Sequence, residues 1–215
     1  MHTLYFIPGL GADERLFSKL QLKKYEKRYI KWISPLKNES LHGYAKRLSE
    51  QIDSKNNFSL IGVSFGGMIA VEMAKFLHEE NLILISSAKT YREIPWNLKF
   101  FKHFPVYQTF SDATIRLLSE INKNRFGIFN EEEKKLFGEM LLSCPAGYLK
   151  GAMRMILHWE NEEFPSDILQ IHGDKDYLFP IDKIQNPVTI KGGTHFMPFH
   201  KAVEVEKIIA ERLEK

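Results

Sequence analysis

The segment Gly62-Val63-Ser64-Phe65-Gly66, followed at once by Gly67, has the residue types and spacing of a nucleophile held on a sharp turn. The apolar run Phe58–Val63 precedes it and a helical pattern opens at Phe65, so Ser64 sits where a strand turns into a helix. Such a turn strains the backbone and brings strand and helix so close that larger side chains at the flanking positions would clash; Gly62 and Gly66 relieve that contact. The result is a hydroxyl exposed at the carboxyl end of a sheet, beside a helix N-terminus. The chemistry this suggests is nucleophilic attack on an acyl carbon.

A serine hydroxyl needs a base, and the base needs an acid that orients it. Of the eight histidines, His195 lies in Gly192-Gly193-Thr194-His195-Phe196, after the last strand-like run and before the last helical one. A loop there points back over the same sheet edge. The acid is expected after a strand and before the histidine. Ile168–Ile171 leads into His172-Gly173-Asp174-Lys175-Asp176, where two carboxylates compete, and Ser86-Ser87-Ala88 after the preceding strand supplies none. Asp174, one residue past Gly173, is well placed to cap the turn.

Developing negative charge on the acyl oxygen calls for backbone N–H donors. Phe65 follows the nucleophile and supplies one. The turn Ile7-Pro8-Gly9-Leu10-Gly11 after the first strand is expected to supply the other, with Leu10 as the donor. The same turn is not a dinucleotide fingerprint: Gly9-Leu10-Gly11-Ala12-Asp13-Glu14 ends in Glu, and no acidic residue closes the second strand at Ile33-Ser34-Pro35. A phosphate-binding Walker motif is absent as well.

The elements that must position these groups follow from pattern. Short, largely apolar runs read as strands covered on both faces: Thr3–Ile7, Tyr29–Ile33, Phe58–Val63, Leu82–Ser86, Ile168–Ile171 and Val188–Ile190. Helical patterns alternate with them at Leu41–Ile52, Phe65–Leu77 and Ala202–Leu213, which argues for a parallel α/β sheet. Residues 88 to about 160 interrupt the rhythm. Four helical patterns fall there: Asn97–His103, Asp112–Asn122, Asn130–Leu142 and Ala146–Trp159. This segment reads as an inserted helical subdomain, and most of its aromatics (Trp96, Phe100, Phe101, Phe104, Tyr107, Phe110, Phe126, Phe129, Phe137, Tyr148, Trp159) are expected to form the insert's own small core. The rest face an acyl pocket.

The elbow Gly62–Gly67, the acid turn His172–Asp176 with Pro180, the histidine loop Gly192–His195 and the turn Pro8–Gly11 together resemble a compact bacterial member of the α/β-hydrolase superfamily, and the likeness spans nearly the whole chain. The order Ser64, acid, His195 is that of this fold. The resemblance implies an α/β fold with a mostly parallel sheet of about six strands, flanking helices and a helical cap over the site. It divides the chain into a core of residues 1–87 and 161–215 and a cap of residues 88–160. It also puts the acid three residues after the His-Gly glycine, at Asp176 rather than Asp174. The chain departs from the family in two ways. Pro8-Gly9 stands where many relatives have His-Gly, and the sequence starts at what the family counts as its third strand. Neither departure touches the three polar residues.

Composition narrows the function further. The 215 residues carry 30 basic and 27 acidic side chains, spread along the chain, so nothing in the charge demands nucleic acid or an anionic membrane. Cys144 is the sole cysteine and reads as a small apolar filler on a helix. The strand-like start, with no apolar leader, and the lack of any apolar run near 18 residues predict a cytoplasmic protein without a membrane span. The expectation is a serine hydrolase of a small-molecule ester or thioester, working through an acyl-serine intermediate with no metal and no organic cofactor. A lyase or C–C hydrolase could use the same residues, and a ligand sensor that signals by moving its cap belongs to a different class. Multiple turnovers on simple esters separate the enzymes from the sensor. Oligomeric state is not legible.

Overall fold

The computed structural model describes residues 2–103 and 106–215; Phe104 lies outside the described residues, as do the side chains of Asn97 and Phe101. Among the described residues one sheet contains six strands, all parallel: β1 (Thr3–Ile7), β2 (Glu26–Tyr29), β3 (Phe58–Val63), β4 (Asn81–Ile85), β5 (Ile168–Gly173) and β6 (Val188–Ile190), in the order β2-β1-β3-β4-β5-β6. Every residue of β1 and β3 is buried. These strands have helices or loops on both faces, so they read as unbroken apolar runs rather than alternating ones. The two outer strands, β2 and β6, are partly exposed.

The second strand differs from expectation. Pairing with β1 covers Glu26–Tyr29, three residues earlier than the apolar run Tyr29–Ile33 suggested. At a sheet edge one side of the strand meets water, so a polar stretch serves there. The apolar residues that follow have another use: Trp32 packs against Tyr44, Phe65 and Tyr148.

The helices are α1 (Leu41–Ser49), α2 (Phe65–Met73), α3 (Trp96–His103), α4 (Asp112–Ile121), α5 (Glu131–Leu142), α6 (Tyr148–Leu157), α7 (Met197–His200) and α8 (Ala202–Leu213). The starts of α1, α4 and α5 are set by side chains that accept otherwise orphaned N–H groups. Ser40 Oγ accepts from Gly43 N at 3.1 Å before α1, and Ser111 Oγ from Thr114 N at 3.1 Å before α4. Asn130 and Glu133 form a reciprocal capping box before α5. Helix α2 is buried on all sides, consistent with its apolar sequence.

Helices α3 to α6 all lie between β4 and β5, in the segment that leaves the sheet at the carboxyl end of β4. Among the described residues Phe126 and Phe137 of this segment pack on each other, but its aromatics are not gathered into a separate core as expected. Tyr148 stacks on Trp32, 5.0 Å between ring centroids, and Trp159 donates its indole N–H to Glu72 of α2 at 2.7 Å, so both bind the insert to the sheet layer. Trp96, Phe100 and Phe129 are exposed. Of the described residues, no helix is long and apolar enough to cross a membrane.

Candidate active site

Three strand ends converge on the site. The turn after β3 carries Ser64, the turn after β5 carries Asp176, and the loop after β6 carries His195. Ser64 has φ 53° and ψ −121°, a conformation that is rare for any residue but glycine and is held only where the surroundings dictate it. Here they do. Ser64 N donates to Ile85 O of β4 at 3.0 Å, and Ser64 O accepts from Gly67 N at 2.9 Å and from the Ser87 hydroxyl at 2.6 Å. A Cβ at Gly62 would run into the backbone of Gly66 and Gly67, and one at Gly66 into the carbonyls of Ile7 and Pro8. The two glycines are therefore fixed by close approach of backbone to backbone, as the spacing implied.

The hydroxyl, imidazole and carboxylate form one continuous chain. His195 Nε2 lies 2.9 Å from Ser64 Oγ, and His195 Nδ1 lies 2.9 Å from Asp176 Oδ2. The acceptor carboxylate requires the proton on Nδ1, so Nε2 faces the hydroxyl with its lone pair. All three residues are buried. Asp176 Oδ1 accepts the N–H groups of Leu178 (3.0 Å) and Phe179 (2.9 Å). Burial pushes the Asp176 pKa up, but the charge and hydrogen bond of His195 outweigh it. They are helped by His172 and the Phe179 N–H, and together they hold the carboxyl below the usual aspartate range. The competing Asp174 is exposed and accepts from Gly192 N at 2.6 Å, tying the acid turn to the histidine loop without reaching His195.

The turn after β1 approaches the same point. Gly9 lies against Ser64, where an added Cβ would come within 3.3 Å of Ser64 Cβ. Ala12 N donates back to Gly9 O at 3.0 Å, and Trp32 Nε1 donates to Ala12 O at 2.8 Å, so the turn carrying Leu10 is pinned at its far end. Leu10 N makes no hydrogen bond among the described residues. Phe65 N, in the first turn of α2, has no intrahelical acceptor.

Above Ser64 is a cavity of about 230 Å³. Gly9, Leu10, Val63, Leu178 and Phe179 line its sheet side, and Leu98, Phe126, Phe137, Met153 and Ile156 its insert side. Among the described residues the only polar side chain in the lining apart from Ser64 and His195 is Ser119, and it carries no charge. Phe179 stacks on the His195 ring at 5.7 Å and 11°, and Phe126 of the insert meets the ring edge-on at 6.1 Å. Among the described residues no group of three or more His, Cys, Asp and Glu could hold a metal ion.

Sequence reasoning did not single out Phe126, Phe179, Ser87 or Trp32 as parts of the site. Only Ser87 left a usable trace, as a small polar residue after an apolar strand facing the elbow. The aromatics looked like any core residue.

No protein-family model and no curated protein matches the chain. Solved structures do. An esterase from Thermogutta terrifontis is 16% identical, with 100% of this chain and 90% of that one covered at a TM-score of 0.72. MenH from S. aureus is 16% identical over 99% of this chain and 93% of its own, TM-score 0.73. A hydrolase from Pseudomonas aeruginosa is 15% identical over 99% and 90%, TM-score 0.74. At such identities the likeness is one of fold.

Proposed function

Since the chain has the α/β-hydrolase fold, we propose that it is a serine hydrolase that cleaves small, uncharged esters or thioesters through an acyl-serine intermediate. The observation that carries this reading is the Ser64–His195–Asp176 chain, with both links at 2.9 Å, opening onto an apolar cavity. In this reading Ser64 Oγ attacks the acyl carbon while His195 Nε2 takes its proton. The N–H groups of Leu10 and Phe65 receive the charge that develops on the carbonyl oxygen. The tetrahedral species collapses, His195 returns the proton to the departing alcohol or thiol, and the acyl group stays on Ser64. Water then attacks the acyl carbon while His195 takes its proton; the bond from carbon to Ser64 Oγ breaks, Oγ takes the proton back from His195, and the carboxylic acid departs. Asp176 holds the imidazole in its tautomer and stabilises the imidazolium. This sequence needs neither metal nor organic cofactor.

Residues 88–160 serve as the cap and residues 1–87 and 161–215 as the catalytic core. Pockets for drug-sized ligands measure roughly 300–1,000 Å³, so a cavity of about 230 Å³ suits a short to medium acyl chain. The uncharged lining disfavours charged acyl groups, because a buried charge without a partner is costly. The esterase from Thermogutta terrifontis, whose fold this chain shares, supports the ester reading at the level of analogy. The test is a chain-length series of p-nitrophenyl esters and acyl thioesters with Ser64→Ala as control. Multiple turnovers that peak at short to medium chains, lost by about 10³-fold or more in Ser64→Ala, are expected. Near wild-type turnover by that variant would overturn the assignment.

A further inference from the structure

The carboxylate that faces His195 belongs to a turn whose last residue, Phe179, touches the site in three ways. Its N–H donates to Asp176 Oδ1 at 2.9 Å, its ring lies flat on the His195 ring, and its side chain lines the cavity. The carbonyl of Phe179 is held in turn by His172, whose Nε2 lies 2.7 Å from it. His172 stands one residue from the end of β5, fully buried and paired with Thr189 of β6. The same Nε2 is 3.5 Å from Asp176 Oδ2, the oxygen turned toward His195.

We propose that His172 is a positioning residue for this reaction: from a rigid strand, its Nε2–H fixes the turn from Asp176 to Phe179, so that carboxylate and ring hold the His195 imidazole at its edge and across its face. The inference rests on the reading of Ser64, His195 and Asp176 given above.

A carbonyl can only accept, so Nε2 carries the proton. The other ring nitrogen, Nδ1, is buried with no hydrogen-bond partner among the described residues. A second proton there would be an unpaired buried donor on a charged ring, and burial accordingly pushes the His172 pKa down despite the pull of Asp176. An apolar side chain of similar size would fill the space but leave the Phe179 carbonyl unpaired and the turn free to shift. Misplacement of a catalytic group by about 1 Å is enough to cost a large part of the rate.

The experiment compares His172→Gln, whose amide N–H falls close to the Nε2 position, with His172→Leu, which keeps only the bulk. Active sites are counted with a fluorophosphonate probe, so that kcat per site is separated from the amount of folded protein, and melting temperature is recorded alongside. In His172→Leu kcat per site is expected to fall about 30-fold with KM within about 3-fold, and in His172→Gln to stay within about 5-fold of wild type. If the Leu variant does not fold, His172→Asn replaces it, since its amide reaches the Nδ1 position instead, and the same loss is expected. Wild-type kcat per site in the Leu or Asn variant, or an equal loss in Gln, would overturn the inference. Ser64→Ala and Asp176→Asn run in parallel: their retaining activity would mean that the reading of the site had failed, whereas their losing it while His172→Leu does not would reject the role of His172 alone.

Discussion

The sheet side and the insert side of the cavity face each other across Ser64, yet they constrain it by different means. On the sheet side the constraint is backbone. Ser64 sits at positive φ, its carbonyl and N–H are both bonded, and neither Gly62 nor Gly66 has room for a single added carbon. On the insert side the constraint is side-chain volume. Leu98, Met153 and Ile156 are only partly buried, and on the insert's helices Trp96 of α3 and Leu117 and Ile121 of α4 face water, the first of them 76% exposed. Geometry set by backbone resists editing, because a change moves the reacting atoms. Volume set by side chains can be altered one residue at a time. The sheet side should therefore govern whether a bond is broken, and the insert side which acyl group is accepted.

The largest effect expected from this division separates two carboxylates in one turn. Asp176→Asn should lower kcat by about 10³- to 10⁴-fold, because the amide can turn an N–H toward Nδ1 and favour the wrong tautomer. Asp174→Asn, which keeps an acceptor for Gly192 N, should change it by less than about 5-fold. A reversed order in steady-state kinetics would move the acid to Asp174.

Next comes Gly66→Ala. The new methyl group collides with the carbonyls of Ile7 and Pro8, so the elbow and the turn carrying Leu10 must part. Overpacking of this kind costs about 1–3 kcal/mol, and activity should fall well beyond the loss of folded protein. Denaturant titration together with kcat per labelled site checks both; an unchanged stability would show that the contact is loose.

A smaller effect belongs to the insert. Leu98→Ala enlarges the cavity by three carbons' worth of space. At about 0.8 kcal/mol per buried methylene, filling that space is worth about 2.4 kcal/mol, so the ratio of kcat/KM for a longer ester over acetate should rise by up to about 60-fold. The rate of labelling by a small fluorophosphonate should stay within about 3-fold. A uniform change across the ester series would deny the insert its part in selection.

The smallest effect is null chemistry at Cys144. The thiol is buried in the bend just past the end of α5 rather than on a helix as expected, its Sγ near Met140 O, and burial raises its pKa to about 11. At pH 8 only about one molecule in a thousand would carry the thiolate. Iodoacetamide should leave native protein unmodified and fully active, and rapid alkylation would show that this part of the insert opens.

The sequence was most legible where backbone contact dictates residue type. Gly62 and Gly66 announced the elbow because nothing larger fits, and the inner strands announced themselves as apolar runs because both their faces are covered. The outer strand was misplaced onto Tyr29–Ile33, since apolar residues there serve the Trp32 cluster beneath α6 rather than the sheet. Asp176 could not be told from Asp174 by residue type; family resemblance put the acid there, and of the two only Asp176 is hydrogen-bonded to His195, while Asp174 accepts from Gly192 N. His172 was legible only as the opening of the acid turn and not as a group with a partner, because that partner is a carbonyl seven residues later, and a carbonyl leaves no mark on a sequence.

The most direct test of the central assignment is peptide mass spectrometry after brief exposure of the native protein to a fluorophosphonate. The account predicts a single adduct on the peptide containing Ser64, absent from Ser64→Ala and formed far more slowly in His195→Ala. An adduct on any other serine, or unchanged labelling of Ser64→Ala, would contradict it.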